Sequence, residues 1–247
     1  MCSVTFWPRR GGYLLAMNRD EMLSRITGLA PERMVIGART VLHPREPGGG
    51  TWISVNDLGV GIALINWYAI SAQATPPTVS RGDVVRTIRD CGDMDEAAGR
   101  LEQLPLQRMN PFRLMGIFPW ESTVGEWRWD LHDLVHVRHD WSPGQWLSSG
   151  HDEAGAQRIR SATFNLMRTE TDAGSLPWLR RLHASHGPER GPYSTCMHRA
   201  DAATVSYTEV EVAGPSVVMR HHQGPPCGAR DFVSEWIPRV IGSVRRV

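Results

Sequence analysis

The sequence contains no lysine: all 27 of its basic residues are arginine. A guanidinium holds its proton at any physiological pH, so chemistry that needs a tunable primary amine or a compact ammonium is excluded. Schiff-base catalysis, Ser-Lys hydrolysis and phosphate cradling by a P-loop lysine all fall away. The amine that remains is the one at the chain terminus, and its ordinary pKa of roughly 7.7–8.0 makes it a near-neutral base. Cysteine is scarce as well. Cys2, Cys91, Cys196 and Cys227 include no C-x-x-C pair and no paired spacing of the zinc-finger kind, so neither a disulfide framework nor a metal centre is expected. No apolar run approaches the ~20 residues of a membrane span, and the first residues lack the basic and apolar regions of a signal peptide. A cytoplasmic protein with no membrane span is the expectation. Neither charge sign is in excess: 27 basic against 26 acidic residues leave +1, which provides no global field for nucleic acid.

What is present suits one large globular domain over residues 1–247, with 41% hydrophobic and 21% charged residues and no internal repeat or low-complexity linker. The opening reads as a hairpin. Residues 2–7 are β-branched and aromatic, 8–12 (Pro-Arg-Arg-Gly-Gly) are turn chemistry, and 13–18 are extended and almost uninterruptedly apolar, as in a sheet covered on both faces. A second hairpin is expected over 51–55 and 60–66. After a loop at 75–78, Ser80 with Asp83 and then Asp93 with Glu96 have capping-box spacing, predicting helices over 84–91 and 97–104. Strand patterning returns at 112–118 and 124–137, helices are expected at 153–168 and 176–183, and strands at 193–196, 204–212 and 217–221. Asp201 and the arginines of the last helix are expected as surface charge. This order lacks βαβ alternation and indicates an α+β fold.

Position 2 has a particular chemistry. Initiator methionine is removed when the next side chain is small, and cysteine is small enough. Processing is expected to leave one residue with both a thiol and a free α-amine, and that amine can take the thiol proton directly or through a water. The competing reading is a buried small apolar residue in a first strand. At the far end of the hairpin partner, Asn18-Arg19-Asp20-Glu21 interrupts an apolar strand with four polar residues, and a hairpin closed at 8–12 brings that end beside Cys2. Arg19 suits a thiolate; Asp20 or Glu21 suits the α-ammonium. Neighbouring strand residues face opposite sides, so Arg19 and Asp20 share a site only where the strand ends or bulges.

Met1-Cys2, Asn18-Arg19-Asp20-Glu21, Gly50-Thr51-Trp52 with Val55-Asn56, Ala63-Leu64-Ile65-Asn66 and Ser80-Arg81-Gly82 occur in that order. This series resembles the NRDE family, also called the transport and Golgi organisation 2 family. Leu147-Ser148-Ser149 stands where that family often reads Leu-Ser-Asn, and 193–199 is similar to its late Ser/Thr-rich strand. The family is similar in turn to cysteine N-terminal-nucleophile (Ntn) hydrolases of the choloylglycine hydrolase and penicillin acylase kind, which implies an αββα four-layer sandwich. The resemblance implies Cys2 as nucleophile, Arg19 as thiolate-stabilising cation, Asp20 as the acid near the amine and Asn66 as an oxyanion-hole donor, with Asn18, Glu21 and Ser149 in support. Arg19 and Asp20 are adjacent where the hydrolases separate the two, so the acid falls to Asp20 or Glu21, and Ser149 replaces a second asparagine. The implied substrate is a small acyl compound with a non-peptide C–N bond or a thioester, and no cofactor is required. The second implied class is a haem or acyl-CoA binding and trafficking protein on the same fold.

Other residues read structurally. His132 and His136, with His139 near them, fall where Trp, Leu and Val alternate over 126–137 as in a strand, His221-His222 precede a turn, and most of the ten tryptophans are assigned to the core.

Overall fold

The computed structural model describes residues 2–75 and 78–240. Two antiparallel sheets lie face to face. The first contains β1 (Cys2–Arg9), β2 (Gly12–Met22), β10 (Gly144–Ser148), β11 (Ala202–Ala213), β12 (Ser216–Gln223) and β13 (Val233–Pro238), in the order β10-β1-β2-β11-β12-β13. The second runs β3-β4-β5-β6-β7-β8-β9, from β3 (Leu29–Ile36), β4 (Arg39–Arg45), β5 (Ile53–Asn56) and β6 (Gly61–Asn66) to β7 (Phe112–Phe118), β8 (Thr123–Trp129) and β9 (Leu134–Asp140).

The alternation along β2 shows why both faces must be covered. Tyr13, Leu15 and Met17 join Val4, Phe6, Val55, Ile65 and Ile117 in the core between the sheets. Leu14 and Ala16 point the other way, onto Phe164 of α3 (Glu153–Met167) and Trp178, Leu179 and Leu182 of α4 (Leu176–Ala184). On the opposite side, Ile62, Leu64, Leu114 and Trp127 pack against Val84, Val85 and Ile88 of α1 (Gly82–Ile88) and Ala97 and Leu101 of α2 (Met94–Glu102). Helices, sheet, sheet and helices form four layers, the expected α+β sandwich. Three apolar interfaces explain why the apolar run at 13–17 carries no polar alternation.

Local chemistry accounts for most boundaries. The β1–β2 hairpin closes through Arg10 and Gly11, with Gly11 at φ 77°, and a β-carbon on Gly12 would collide with the Val212 carbonyl of β11. Asp93 caps α2 by accepting from the Glu96 N–H at 2.8 Å, Asp152 caps α3 through Gly155 and Ser175 caps α4 through Trp178. Ser80 is not the cap of α1: its hydroxyl accepts from the Gly82 N–H, and Arg81 occupies the N-cap position without a side-chain bond.

Several expectations are corrected. Residues 193–196 form turns and bends rather than a strand, and 233–238 form an edge strand, β13, beyond the last strand expected. Residues 241–247, Met1 and the Pro76-Pro77 step of the expected loop lie outside the described residues. Strands β3, β4 and β10 were not anticipated. Their turn residues do not bound clean alternating runs, and pairing with β5 and β1 supplies what local pattern lacks.

Candidate active site

The β1–β2 register places Cys2 directly opposite Arg19, and β10 places Ser148 opposite Cys2 on its other side. Directly paired residues share a face, so Cys2, Arg19 and Ser148 all turn toward the second sheet. There the Arg19 guanidinium lies over the Trp52 ring, 4.5 Å from its centroid, and bonds to Glu46 and, at 3.5 Å, to Glu21. Arg25 closes a four-membered ion network by pairing with the same two carboxylates. These groups line a cleft of about 330 Å³ with Cys2, Asn66 and Arg81.

Arg19 and Asp20 part company, as their adjacency in a strand requires. Strand β2 runs on through both residues to Met22, and the irregularity lies in its neighbour β11, between Thr204 and Ser206. The Asp20 carboxylate is thereby directed into the helix-side layer, where Oδ1 accepts from the Thr204 hydroxyl at 2.6 Å and Oδ2 from Arg160 at 3.2 Å. The Asp20–Arg160 pair is fully buried, and Arg160 also donates to the Ser3 hydroxyl at 2.9 Å. Asp20 reaches Cys2 through its backbone N–H, which bonds the thiol. Burial raises the thiol above its ordinary pKa, while that N–H and the Arg19 charge act against the rise.

The remaining predicted residues separate into two groups. Glu21 and Asn66 border the cleft, and the Asn66 amide at the end of β6 donates to the Tyr68 hydroxyl at 2.7 Å. Asn18 and Ser149 do not line it. Asn18 faces the helices, its amide donating to the carbonyls of His183 at 2.9 Å and Thr195 at 2.8 Å, so it ties β2 to the end of α4. Ser149 lies past the end of β10 with its hydroxyl accepting from the His151 N–H at 3.3 Å. The serine that stands across from Cys2 is Ser148.

Sequence reasoning had not assigned a site role to Arg81, Glu46 or Arg160. Arg81 is set at the cleft by a close approach of backbones: a β-carbon on Gly82 would lie 2.8 Å from the Gly50 Cα, so Gly50 and Gly82 let the start of α1 sit against the turn before Thr51-Trp52. Arg81 donates to the Pro111 carbonyl at 3.1 Å, and among the described residues no carboxylate forms a salt bridge with it. Burial lowers its pKa, opposed by Tyr68 and Cys2. Arg160 had a legible signal, since Ala156, Arg160 and Phe164 at i, i+4 and i+8 form the buried stripe of α3. A charged residue on such a stripe calls for a buried counter-charge.

The histidines read as structural have other partners. His139 bonds Glu126 at 2.8 Å and His136 stacks on Trp127. His221 bonds the Thr208 hydroxyl at 2.9 Å and His222 the Asp231 carbonyl. Burial pushes His221 down to about 4 and His183, which contacts the Thr5 hydroxyl and feels Arg160, down to about 3. Both are neutral in the fold and titrate near 6.5 when unfolded. The folded values are depressed, so the unfolded chain binds more protons below pH 6.5. Stability present at neutral pH is lost as pH falls from about 6.5 toward 4, at roughly 1.4 kcal/mol per pH unit for each histidine. Urea unfolding at pH 7 and pH 5 should show a markedly lower midpoint at pH 5, and His183→Gln should flatten the difference. Equal midpoints would contradict the buried neutral assignment.

The fold is shared with cysteine Ntn hydrolases. The structure is similar to the C2A mutant of conjugated bile acid hydrolase from Clostridium perfringens, with a TM-score of 0.58 and 8% identity over 95% of this chain and 92% of that one. It is also similar to penicillin V acylase from Agrobacterium tumefaciens, with a TM-score of 0.55 and 9% identity over 96% of this chain and 86% of that one. Residues 1–124 match the Transport and Golgi organisation 2 family, and the chain belongs to that family.

Proposed function

We propose that the chain is an N-terminal-cysteine hydrolase that cleaves a small thioester or non-peptide amide through an acyl-enzyme on Cys2. The observation that carries this reading is the placement of Cys2 and Arg19 opposite each other at the floor of a cleft bordered by Asn66. After removal of Met1, the Cys2 α-amine takes the thiol proton and the sulfur attacks the substrate carbonyl carbon. The oxyanion formed in that step is met by the Asn66 amide, which exchanges its bond to Tyr68 for one to the developing charge. Collapse expels the leaving thiolate or amine, which takes the proton from the α-ammonium. Water then attacks the thioester with the amine as base, releasing the acid and restoring the thiol.

The cleft walls bear on the substrate class. Arg19 and Arg25 are neutralised by Glu21 and Glu46, whereas Arg81 keeps its charge available. An acyl donor carrying a carboxylate or phosphate, such as an acyl-CoA, suits that cation. Haem suits the cleft less well, because its described walls are largely charged and Cys2, the lining residue able to ligate iron, is assigned to the acyl chemistry. The proposed reading therefore retains acyl-CoA as a substrate type and places haem outside this cleft.

Intact mass supplies the direct test. The mature chain should begin at Cys2, and incubation with a panel of acyl thioesters should add one acyl mass at that residue. Retention of Met1 would sink the reading, since the base would be blocked and displaced. Arg81→Met should raise KM for anionic acyl donors about tenfold, equivalent to ~1.4 kcal/mol, and leave kcat and the KM of neutral donors nearly unchanged. An equal effect on neutral and anionic donors would remove Arg81 from substrate recognition.

A further inference from the structure

Residues 185–201 join α4 to β11 without a helix or strand of their own. A connection longer than about 12–15 residues with no secondary structure is uncommon in a compact domain unless it is functional or held by something else. This one is held in a definite course. It contributes the Thr195 carbonyl to Asn18 and the Pro192 and Tyr193 carbonyls to Arg160, and its Met197 N–H donates to the Thr204 hydroxyl that bonds Asp20.

Four side chains with metal-ligating atoms converge at its outer side. They are His186, Cys196 and His198 from the connection and Cys227 from the short turn Pro226–Gly228, and one ligand atom from each lies within 4.8 Å of all the others. The Cys196 Sγ is 3.5 Å and the Cys227 Sγ 3.6 Å from the same nitrogen, His198 Nε2. Both separations match the edge of a tetrahedron built on a metal with M–S about 2.3 Å and M–N about 2.0–2.1 Å, which is about 3.6 Å. His186 stands beside His198, ring centroids 5.1 Å apart, and its Nε2 is buried with no hydrogen-bond partner. A histidine nitrogen left unpaired beside two thiols is what a metal ligand looks like without its metal.

We propose that His186, Cys196, His198 and Cys227 form a structural Zn²⁺ site that staples the 185–201 connection to the 226–228 turn. Two thiolates and two neutral imidazoles leave the loaded site without net charge, and binding releases the two thiol protons to solvent. All four positions are filled by protein, so the site has no open coordination position and belongs to structure rather than catalysis. Ligation through His198 Nε2 places its proton on Nδ1. Arg190, exposed and 3.3 Å from that nitrogen, turns to solvent when the metal binds. The spacing C-x-H with a distant histidine and cysteine carries no zinc-finger signature in the sequence, because three separate segments supply the ligands. The site is independent of the Cys2 chemistry, although the connection it pins also props Arg160 and Asp20.

Full-length protein prepared with zinc and without chelator, then gel-filtered, should hold one zinc per chain by elemental analysis. Replacement by Co²⁺ should give the strong visible bands and thiolate charge transfer of a tetrahedral thiolate site. Cys227→Ser alters an exposed residue and should fold, yet it should lose the metal at least tenfold more readily to a competing chelator. Cys196→Ser should do the same, and Cys91→Ala should not. Chelation of the wild type should lower its thermal midpoint. Protein that takes up no zinc after reduction, zinc retained in Cys227→Ser, or a Cys196–Cys227 disulfide whose reduced form binds no metal would each overturn the proposal.

Discussion

Cys2→Ala should abolish both labelling by acyl probes and turnover while leaving the fold in place. Cys2 is buried at the end of an edge-flanked strand, paired on both sides by backbone bonds that do not depend on its side chain. Loss of one sulfur there costs on the order of 1 kcal/mol of stability. The chemical loss is complete, because among the described residues no other thiol or hydroxyl on the cleft floor shares the terminal amine. Cys2→Ser separates nucleophile from placement: it preserves the amine and the geometry and should retain only slow acylation, since a hydroxyl holds its proton far more tightly than a thiol. Asn66→Ala tests the oxyanion donor independently and should reduce the rate by about 10²–10³ without preventing slow labelling. Labelling that survives in Cys2→Ala would move the chemistry elsewhere and refute the hydrolase reading.

Arg160→Leu should be the most destabilising single change near the site. It removes the Arg160 guanidinium from the buried Asp20 carboxylate, and removing one member of a buried pair typically costs ~3–5 kcal/mol. For a chain of this size that is a fall in thermal midpoint of roughly 10 °C. The prediction has a sharper second half. The double variant Asp20→Leu with Arg160→Leu should recover much of the stability, because two apolar groups need no pairing, and should still slow acylation, because Arg160 no longer holds the hydroxyl of Ser3 next to Cys2. Urea unfolding of the two singles and the double gives the coupling energy directly. A cost below about 1 kcal/mol for Arg160→Leu would show that water reaches the pair.

The hairpin and its consequence were legible without coordinates. Alternation stopped, Pro8 to Gly12 formed a turn, and simple antiparallel pairing then placed the 18–21 end beside Cys2; the β1–β2 register makes Arg19 the direct partner. The helices at 153–167 and 176–184 were equally legible, because an apolar stripe and a capping residue are local signals. Strands β3, β4, β10 and β13 were not: β10 depends on β1 at the far end of the chain, and the β3–β4 hairpin and the edge strand β13 carry no clean alternation of their own. The 193–196 segment has strand composition, yet its polar groups find Gly191, Asn18 and Ser185 rather than a ladder.

The candidate site divides along the same line. Residue types and hairpin geometry were enough to bring the thiol and the 18–21 end together, because both lie on one local hairpin; the register itself came from the closing pair Arg9 and Gly12. The direction of the Asp20 carboxylate depended on the layer of helices behind the sheet. Arg81 entered the cleft because two glycines 32 positions apart allow backbones to touch, and the four soft and imidazole ligands met because three segments fold onto one edge. The sequence by itself determined which groups lie beside Cys2 along the strand; only the tertiary structure decided which of them face it, since side-chain direction in a sheet is set by what covers each face.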